Sequence, residues 1–341
     1  MFNANKCDFC GECLARCYYL PFDSVSGGIA IKELLKLREG AREEPPQWIY
    51  DCITCVACNE YCEQGAKPFD LILSWMEKDF TSWELREQMA ARFLPEGPPK
   101  PIERRERMMS LCVMQGSMPW ALQGQLFENI PLLKGKHYFC NVLFVHMGDE
   151  SIMRERLQAM VDNLAASGAK EIVFVHDDCY AAVKGMAPEY GINIPFRPVH
   201  LFEYLHEYLI ANSKKVKKLG ILVAYQRPCA SRYTTEKDYL VDEIFQLIGV
   251  ERVKRKYDGL KALCCGVEIA GPGLKLFPRG KNYEPYRDLN IADAKASGAE
   301  AMVYLCPMCF NTLKEKSQLA GLKNYMISDI CRLALGENPQ A

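Results

Sequence analysis

Ala296-Ser-Gly-Ala-Glu-Ala-Met-Val-Tyr-Leu-Cys306-Pro-Met-Cys309-Phe310 aligns without gaps on Ala166-Ser-Gly-Ala-Lys-Glu-Ile-Val-Phe-Val-His176-Asp-Asp-Cys179-Tyr180, at an offset of 130 residues. Each copy holds a short β-branched run that reads as strand, Glu171 to His176 and Ala301 to Leu305, followed by helix. The flanking sequence continues the alternation. Asn141 to His146 reads as strand, Asp149 to Ala166 as helix, Leu219 to Tyr225 as strand, Thr234 to Leu247 as helix and Phe310 to Leu319 as helix. Short strands alternating with helices predict βα units around a largely parallel sheet. Leu111-Cys112 falls near Pro228-Cys229, and His146-Met-Gly148 near Cys264-Cys-Gly266, so the region reads as a duplication with copies at 103–215 and 216–341.

The second copy keeps five cysteines in the spacing Cys229-x34-Cys264-Cys265-x40-Cys306-x-x-Cys309. Five thiols from three distant places predict a metal cluster. Vicinal cysteines do not both chelate one metal comfortably, so Cys264 and Cys265 suit several irons better than one zinc, and Gly266 allows the tight backbone there. A single zinc, or a vicinal redox disulfide, is the alternative. The first copy retains Cys112 and Cys179, with His146 and His176 where cysteines would stand. Two thiols and two imidazoles make an acceptable zinc set; a relic core is the competing reading. Asp177 and Asp178 read as a helix N-cap, and Cys140 and Cys331, lacking motif partners, as small buried hydrophobes.

Upstream, Cys7-x2-Cys10-x2-Cys13-x3-Cys17 recurs as Cys52-x2-Cys55-x2-Cys58-x3-Cys62. This spacing holds [4Fe–4S] clusters in two-cluster ferredoxins, the fourth cysteine of each run crossing to the other cluster. Cys7, Cys10, Cys13 and Cys62 are thus expected around one cubane, and Cys52, Cys55, Cys58 and Cys17 around the other. Paired Cys-x-x-Cys motifs also make zinc sites, but eight cysteines in one repeated four-member pattern favour the clusters. Gly28 to Gly40 reads as an amphipathic helix with Ile29, Ile31, Leu34 and Leu35 apolar. Pro68 to Phe93 reads as another, with Leu71, Ile72, Trp75 and Met76 on one face. Four prolines between Pro95 and Pro101 predict an extended linker, giving domains at 1–94, 95–102 and 103–341.

The remaining features exclude more than they assign. Residues 1–94 carry ten Lys/Arg against fifteen Asp/Glu within a chain of formal charge −1, so neither part is basic enough for nucleic acid. Lys214 to Lys218 and Val253 to Lys256 read as solvated basic faces. Gly271 to Gly280 lacks the spacing of a phosphate loop, and no dinucleotide fingerprint occurs. Seventeen cysteines without a charged-then-apolar leader predict a reducing cytoplasm rather than disulfides, in an anaerobe, since exposed clusters tolerate oxygen poorly. No apolar run is long enough to span a bilayer, so membrane contact is expected only through a partner.

The N-terminal module resembles the all-helical ferredoxin domain of succinate dehydrogenase-type iron–sulfur subunits and of the heterodisulfide reductase C subunit, although Tyr18 and Glu63 stand where a proline usually follows the fourth cysteine. The whole chain resembles the fused D subunit of heterodisulfide reductase, in which a C-subunit-like module precedes a cysteine-rich (CCG) B-subunit-like module. The fold implied is α+β multidomain. The resemblance implies a noncubane [4Fe–4S] cluster on Cys229, Cys264, Cys265, Cys306 and Cys309, and flavoprotein or other redox partners. Two functions follow as expectations: a redox subunit that reduces a small disulfide or thiol compound at that cluster, or a pure relay between a flavoprotein dehydrogenase and a quinone-reducing or ferredoxin partner. A zinc-containing assembly scaffold is the third reading.

Overall fold

A computed structural model describes residues 1–38, 46–78, 83–114, 122–266 and 282–339. The Gly271 to Gly280 stretch, the end of the Gly28 to Gly40 helix and residues 79–82 of the Pro68 to Phe93 helix lie outside them. The chain forms two compact units, the first from the described parts of Met1–Arg92, Asn141–Arg156 and Gly266–Tyr283, the second from those of Phe93–Cys140, Leu157–Cys265 and Glu284–Ala341.

In the first unit, the described residues of Met1–Arg92 contain helices and turns and no strand. Helix Ser24–Arg38 buries Ala30, Ile31, Leu34 and Leu37, while Ile29 points to solvent, so the core stripe is rotated from the one the sequence predicts. Helix Pro68–Lys78 buries Leu71, Ile72, Trp75 and Met76 as expected. The Trp75 indole N–H donates to the Leu34 carbonyl at 3.0 Å, joining the two helices and satisfying a buried donor. Helix Trp83–Arg92 follows.

The second unit contains two four-stranded parallel sheets of identical order. β1 (Arg107–Cys112), β2 (Leu132–Lys134), β3 (Glu171–Phe174) and β4 (Arg197–His200) lie as β2-β1-β3-β4. β5 (Ile221–Gln226), β6 (Val250–Arg252), β7 (Ala301–Tyr304) and β8 (Lys323–Met326) lie as β6-β5-β7-β8. Met109 pairs with Val173 in the first sheet as Tyr225 pairs with Val303 in the second. Every residue of β7 is buried, as expected for a parallel strand covered on both faces. Met109, Val173 and Val199 of the first sheet share one hydrophobic core with Val223 and Val303 of the second, filled by Phe202 and Leu205 of helix Leu201–Ala211 and by Ile244 and Phe245 of helix Tyr239–Ile248.

The repeated Ala-Ser-Gly-Ala has a local physical meaning. Helices Ser151–Ala166 and Glu284–Ala296 each end at a glycine in the left-handed region, Gly168 at φ 76° and Gly298 at φ 84°. Their amides cap the Ala165 and Lys295 carbonyls at 3.0 and 3.1 Å, turning the chain into the next strand.

One strand assignment is corrected. Asn141 to His146 is not a strand: Asn141 takes φ 59° and helix Val142–His146 follows. A short apolar run such as Val142-Leu-Phe-Val145 fits a buried helix as well as a strand, and periodicity cannot separate them. Residues 95–101 are irregular, with the Gly97 carbonyl accepting from the His137 ring at 2.8 Å. No described helix is long and apolar enough to cross a membrane.

Candidate metal centres

In the first unit the two cysteine loops take the same path. Phe9 and Gly11 flank Cys10 with φ of 59° and 76°; Thr54 and Val56 flank Cys55 with φ of 56° and 63°. Left-handed backbone is uncommon for Phe, Thr and Val, and both loops adopt it at matching positions. Short helices Glu12–Ala15 and Ala57–Tyr61 leave each loop. Backbone amides are aimed at sulfur, Thr54 N–H at Cys52 Sγ (3.5 Å) and Ala66 N–H at Cys62 Sγ (3.4 Å).

The electrostatics show which thiols are neighbours. Burial, then Cys62, Cys7 and Cys10, push the Cys13 thiol up to about 12. Burial, with Phe9 N–H opposing it and Cys62 next, raises Cys7. Cys58 is raised well above the ordinary thiol range by burial and then by Cys52, Cys13, Cys55 and Cys17. Thus Cys62 lies within electrostatic reach of the first run, and Cys17 of the second. Crowded thiols that resist ionisation together become a stable anionic set once a cationic centre replaces their protons, so this donor set fits a metal cluster.

In the second unit the cysteines stand at the carboxyl ends of the central strands. In both sheets the chain crosses to opposite sides of the first strand, and the crevice at such a switch point is where open α/β sheets place ligands. Cys229 follows β5 through Pro228 and opens a 3-10 turn, Cys229–Tyr233; Cys306 follows β7 and caps helix Pro307–Leu319, with Cys309 in its first turn. Cys229 Sγ is 3.2 Å from Cys264 Sγ, and Cys309 Sγ is 3.4 Å from Cys265 Sγ. The vicinal pair therefore reaches two different partners, and the Cys264–Cys265 peptide joins the contacts. Gly266 follows in the left-handed region, at φ 68°. Cys306, though buried, is lowered to about 6, chiefly by a hydrogen bond from Cys309 and then by His176, against the cost of burial. Thiolate character at a helix start and close sulfur pairs fit a cluster of several irons.

Residues the sequence reading passed over fix the Cys264 loop. Arg287 donates to the Cys265 carbonyl (2.7 Å), Arg232 to Ala262 O (2.9 Å) and Gln226 to Leu263 O (2.9 Å), with Asn290 holding Gln226 at 2.7 Å. These buried polar groups lie far from the motif in sequence. Arg287 and Asn290 lie on helix Glu284–Ala296, a stretch to which the sequence reading assigned no element, so nothing in the motif pointed to them.

The first sheet carries a different set from the one expected. Cys112, Cys179 and Cys140 gather, all buried, with sulfurs within 4.8 Å of one another. Cys140 is not the partnerless hydrophobe of the sequence reading; it follows β2 and a 3-10 turn (Lys136–Tyr138), as Cys264 follows β6 and the turn Gly259–Lys261. Burial opposes ionisation of Cys112, but hydrogen bonds from Cys140 and Cys179 hold it well below the ordinary thiol range. His146, in the first unit, is not in this group: its Nδ1–H donates to Thr54 O at 3.0 Å, and Thr54 Oγ1 donates back to His146 O at 2.8 Å, bracing the Cys52 to Cys55 loop. His176 turns to Cys306, with Nε2 3.6 Å from Sγ.

Asp177 is also more than a helix cap. The residue that caps helix Asp177–Tyr180 is His176, without a side-chain bond, and the fully buried Asp177 carboxylate meets His200 Nε2 and Lys237 Nζ, each at 3.1 Å. His200 Nδ1 accepts from Phe202 N–H, so Nε2 carries the proton. Burial, outweighing Asp177, pushes His200 down to about 4. A histidine buried neutral is expected to lose its stabilising contribution as pH falls from its unfolded value near 6.5 towards 4, because the unfolded chain binds the proton first. The expected decline is about 3 kcal/mol over that window, measured by denaturant unfolding at stepped pH. An unchanged slope in His200→Gln would contradict the assignment.

A small apolar pocket opens beside His176, lined also by Leu111, Val175, Leu305, Pro307 and Ile327.

The fold and these cysteine groups define a cysteine-rich α/β protein whose N-terminal cysteine runs lie among helices, with no strand among the described residues of Met1–Arg92. Residues 223–314, which span all five clustered cysteines, match the cysteine-rich domain family, CCG. The chain is similar to the D subunit of the dihydromethanophenazine:CoB–CoM heterodisulfide reductase, with 26% identity over 181 residues to that of Methanosarcina barkeri and 28% over 183 residues to that of Methanosarcina mazei. Each alignment covers 50% of this chain and 41% of the relative, so the chain matches less than half the length of those proteins. A hypothetical protein from Helicobacter pylori has a similar fold, with a TM-score of 0.54 and 12% identity over 90% of this chain and 67% of its own.

Proposed function

We propose that this chain is the iron–sulfur subunit of a heterodisulfide reductase-like complex. Cys7, Cys10, Cys13 and Cys62 would hold one [4Fe–4S] cubane, Cys52, Cys55, Cys58 and Cys17 a second, and Cys229, Cys264, Cys265, Cys306 and Cys309 a noncubane [4Fe–4S] cluster. The observation that carries this is the pair of sulfur contacts, Cys229 with Cys264 and Cys265 with Cys309, at a sheet switch point. Residues 103–215 and 216–341 are read as a duplicated domain, supported by the shared strand order.

Such clusters supply electrons singly, whereas reduction of a disulfide consumes two electrons and two protons and yields two thiols. The protein's part is positional. The left-handed loops orient three thiolates each, and Arg287, Arg232 and Gln226 fix the vicinal pair. A flavoprotein or other redox subunit would supply the electrons.

A pure relay between a flavoprotein and a quinone-reducing or ferredoxin partner is the second reading. It is favoured by the first sheet, where His176 takes the place of a motif cysteine. Electron paramagnetic resonance of the oxidised protein titrated with small thiols separates the two. A thiol-dependent change in a spectrum unlike that of a cubane supports disulfide chemistry; an unresponsive spectrum supports the relay.

A further inference from the structure

His176 and Cys306 are separated by 130 residues, the offset of the sequence repeat, so the two residues that face each other at 3.6 Å are equivalents in the two copies. The position that carries a thiol in one copy carries an imidazole in the other. Both are buried, with His176 5% and Cys306 8% exposed, so the contact is shielded from water. On the far side of the ring, Nδ1 lies 3.6 Å from Asp178 Oδ2, a charge contact longer than a hydrogen bond, so Nε2 is the ring nitrogen that meets the sulfur.

The direction of the bond follows from the chemistry of a ligand thiolate. A sulfur that binds metal has lost its proton and can only accept, so Nε2 must be the donor. Cys309 could donate to Cys306 only as a thiol; once both are ligands that bond is gone, and the imidazole N–H remains. Pro307, next in the chain, brings no N–H to the sulfur. Hydrogen bonds to ligand sulfur favour the reduced, more negative cluster and so raise its potential.

We infer that His176 donates an Nε2–H hydrogen bond to the Cys306 sulfur and so makes the cluster there easier to reduce than its five cysteines alone would. His176 is in this sense a positioning residue that acts through Cys306, and the inference rests on the cluster assignment above. In this view the change from thiol to imidazole in the first copy exchanges a second cluster ligand for a group that tunes the remaining one.

The test compares the full chain with His176→Ala and His176→Gln by iron analysis and by redox titration followed by electron paramagnetic resonance. His176→Ala is expected to keep its iron while its reduction equilibrium constant falls about tenfold, ~59 mV for a one-electron couple. His176→Gln, which retains an N–H donor, should recover at least half of the shift. A full iron content with an unmoved midpoint in His176→Ala overturns the inference alone. Loss of iron from a folded His176→Ala protein also overturns it, because it makes His176 a ligand. Should His176→Ala not fold, His176→Asn, whose shorter amide stops short of the sulfur, is read in the same way. A wild-type chain without the noncubane signal overturns the cluster assignment, and this inference with it.

Discussion

Replacing Cys265 with alanine is expected to cost the protein about four irons per chain and all of its noncubane signal, while both cubane signals persist. Cys265 is buried, its sulfur faces Cys309 at 3.4 Å, and its carbonyl is fixed by Arg287. Removing that sulfur leaves the Cys306 to Cys309 end of the site without its link to Cys264 and Cys229. The other eight cysteines belong to a separate set of loops and keep their geometry. Cys331 is the control: it too is fully buried, in the hydrophobic core of helix Ile327–Ala334, where burial raises its thiol. Cys331→Ala should keep its full iron and lose only packing. Equal iron loss in the two variants would mean that thiol count, not the arrangement of the five, governs metal uptake.

Lys237→Met should destabilise the second unit by about 3–5 kcal/mol, because it leaves Asp177 charged and buried without its cation. Burial works against the Asp177 carboxylate, and Lys237 followed by His200 overcomes it, holding the group well below the usual range. Lys237 has further partners in Thr234 O (2.8 Å) and Ser231 Oγ (3.1 Å), so the ion pair ties helix Asp177–Tyr180, which carries Cys179, to the turn that carries Cys229. The loss should appear as a melting midpoint roughly 10 °C lower. Asp177→Asn combined with Lys237→Met removes both charges and should recover part of it. If the double variant melts no higher than Lys237→Met alone, the buried charge is not what Lys237 compensates.

The eight N-terminal cysteines stand out in the sequence as a repeated local spacing, and the βα units were legible because a short β-branched run followed by a helix repeats at 130 residues. What stayed hidden depends on contacts between distant residues. Reading Val142-Leu-Phe-Val145 as strand misplaced the first copy's thiol loop and with it Cys140. His146 stands where the motif would put a ligand, yet its ring is held by Thr54, 92 residues away. Asp177 reads as a helix-start carboxylate from its neighbours alone; only the fold brings Lys237 to it. The His176 to Cys306 contact needed both the repeat and the packing of its two copies.

Thirteen cysteines are proposed to bind three inorganic clusters of two kinds. Mössbauer spectroscopy of the anaerobically prepared, iron-57-loaded chain, with iron and sulfide analysis on the same sample, tests it most directly. The expected result is about twelve irons per chain, two thirds with cubane parameters and one third distinct from them. Cubane iron alone, with zinc at Cys229, Cys264, Cys265, Cys306 and Cys309, would rule out the third cluster.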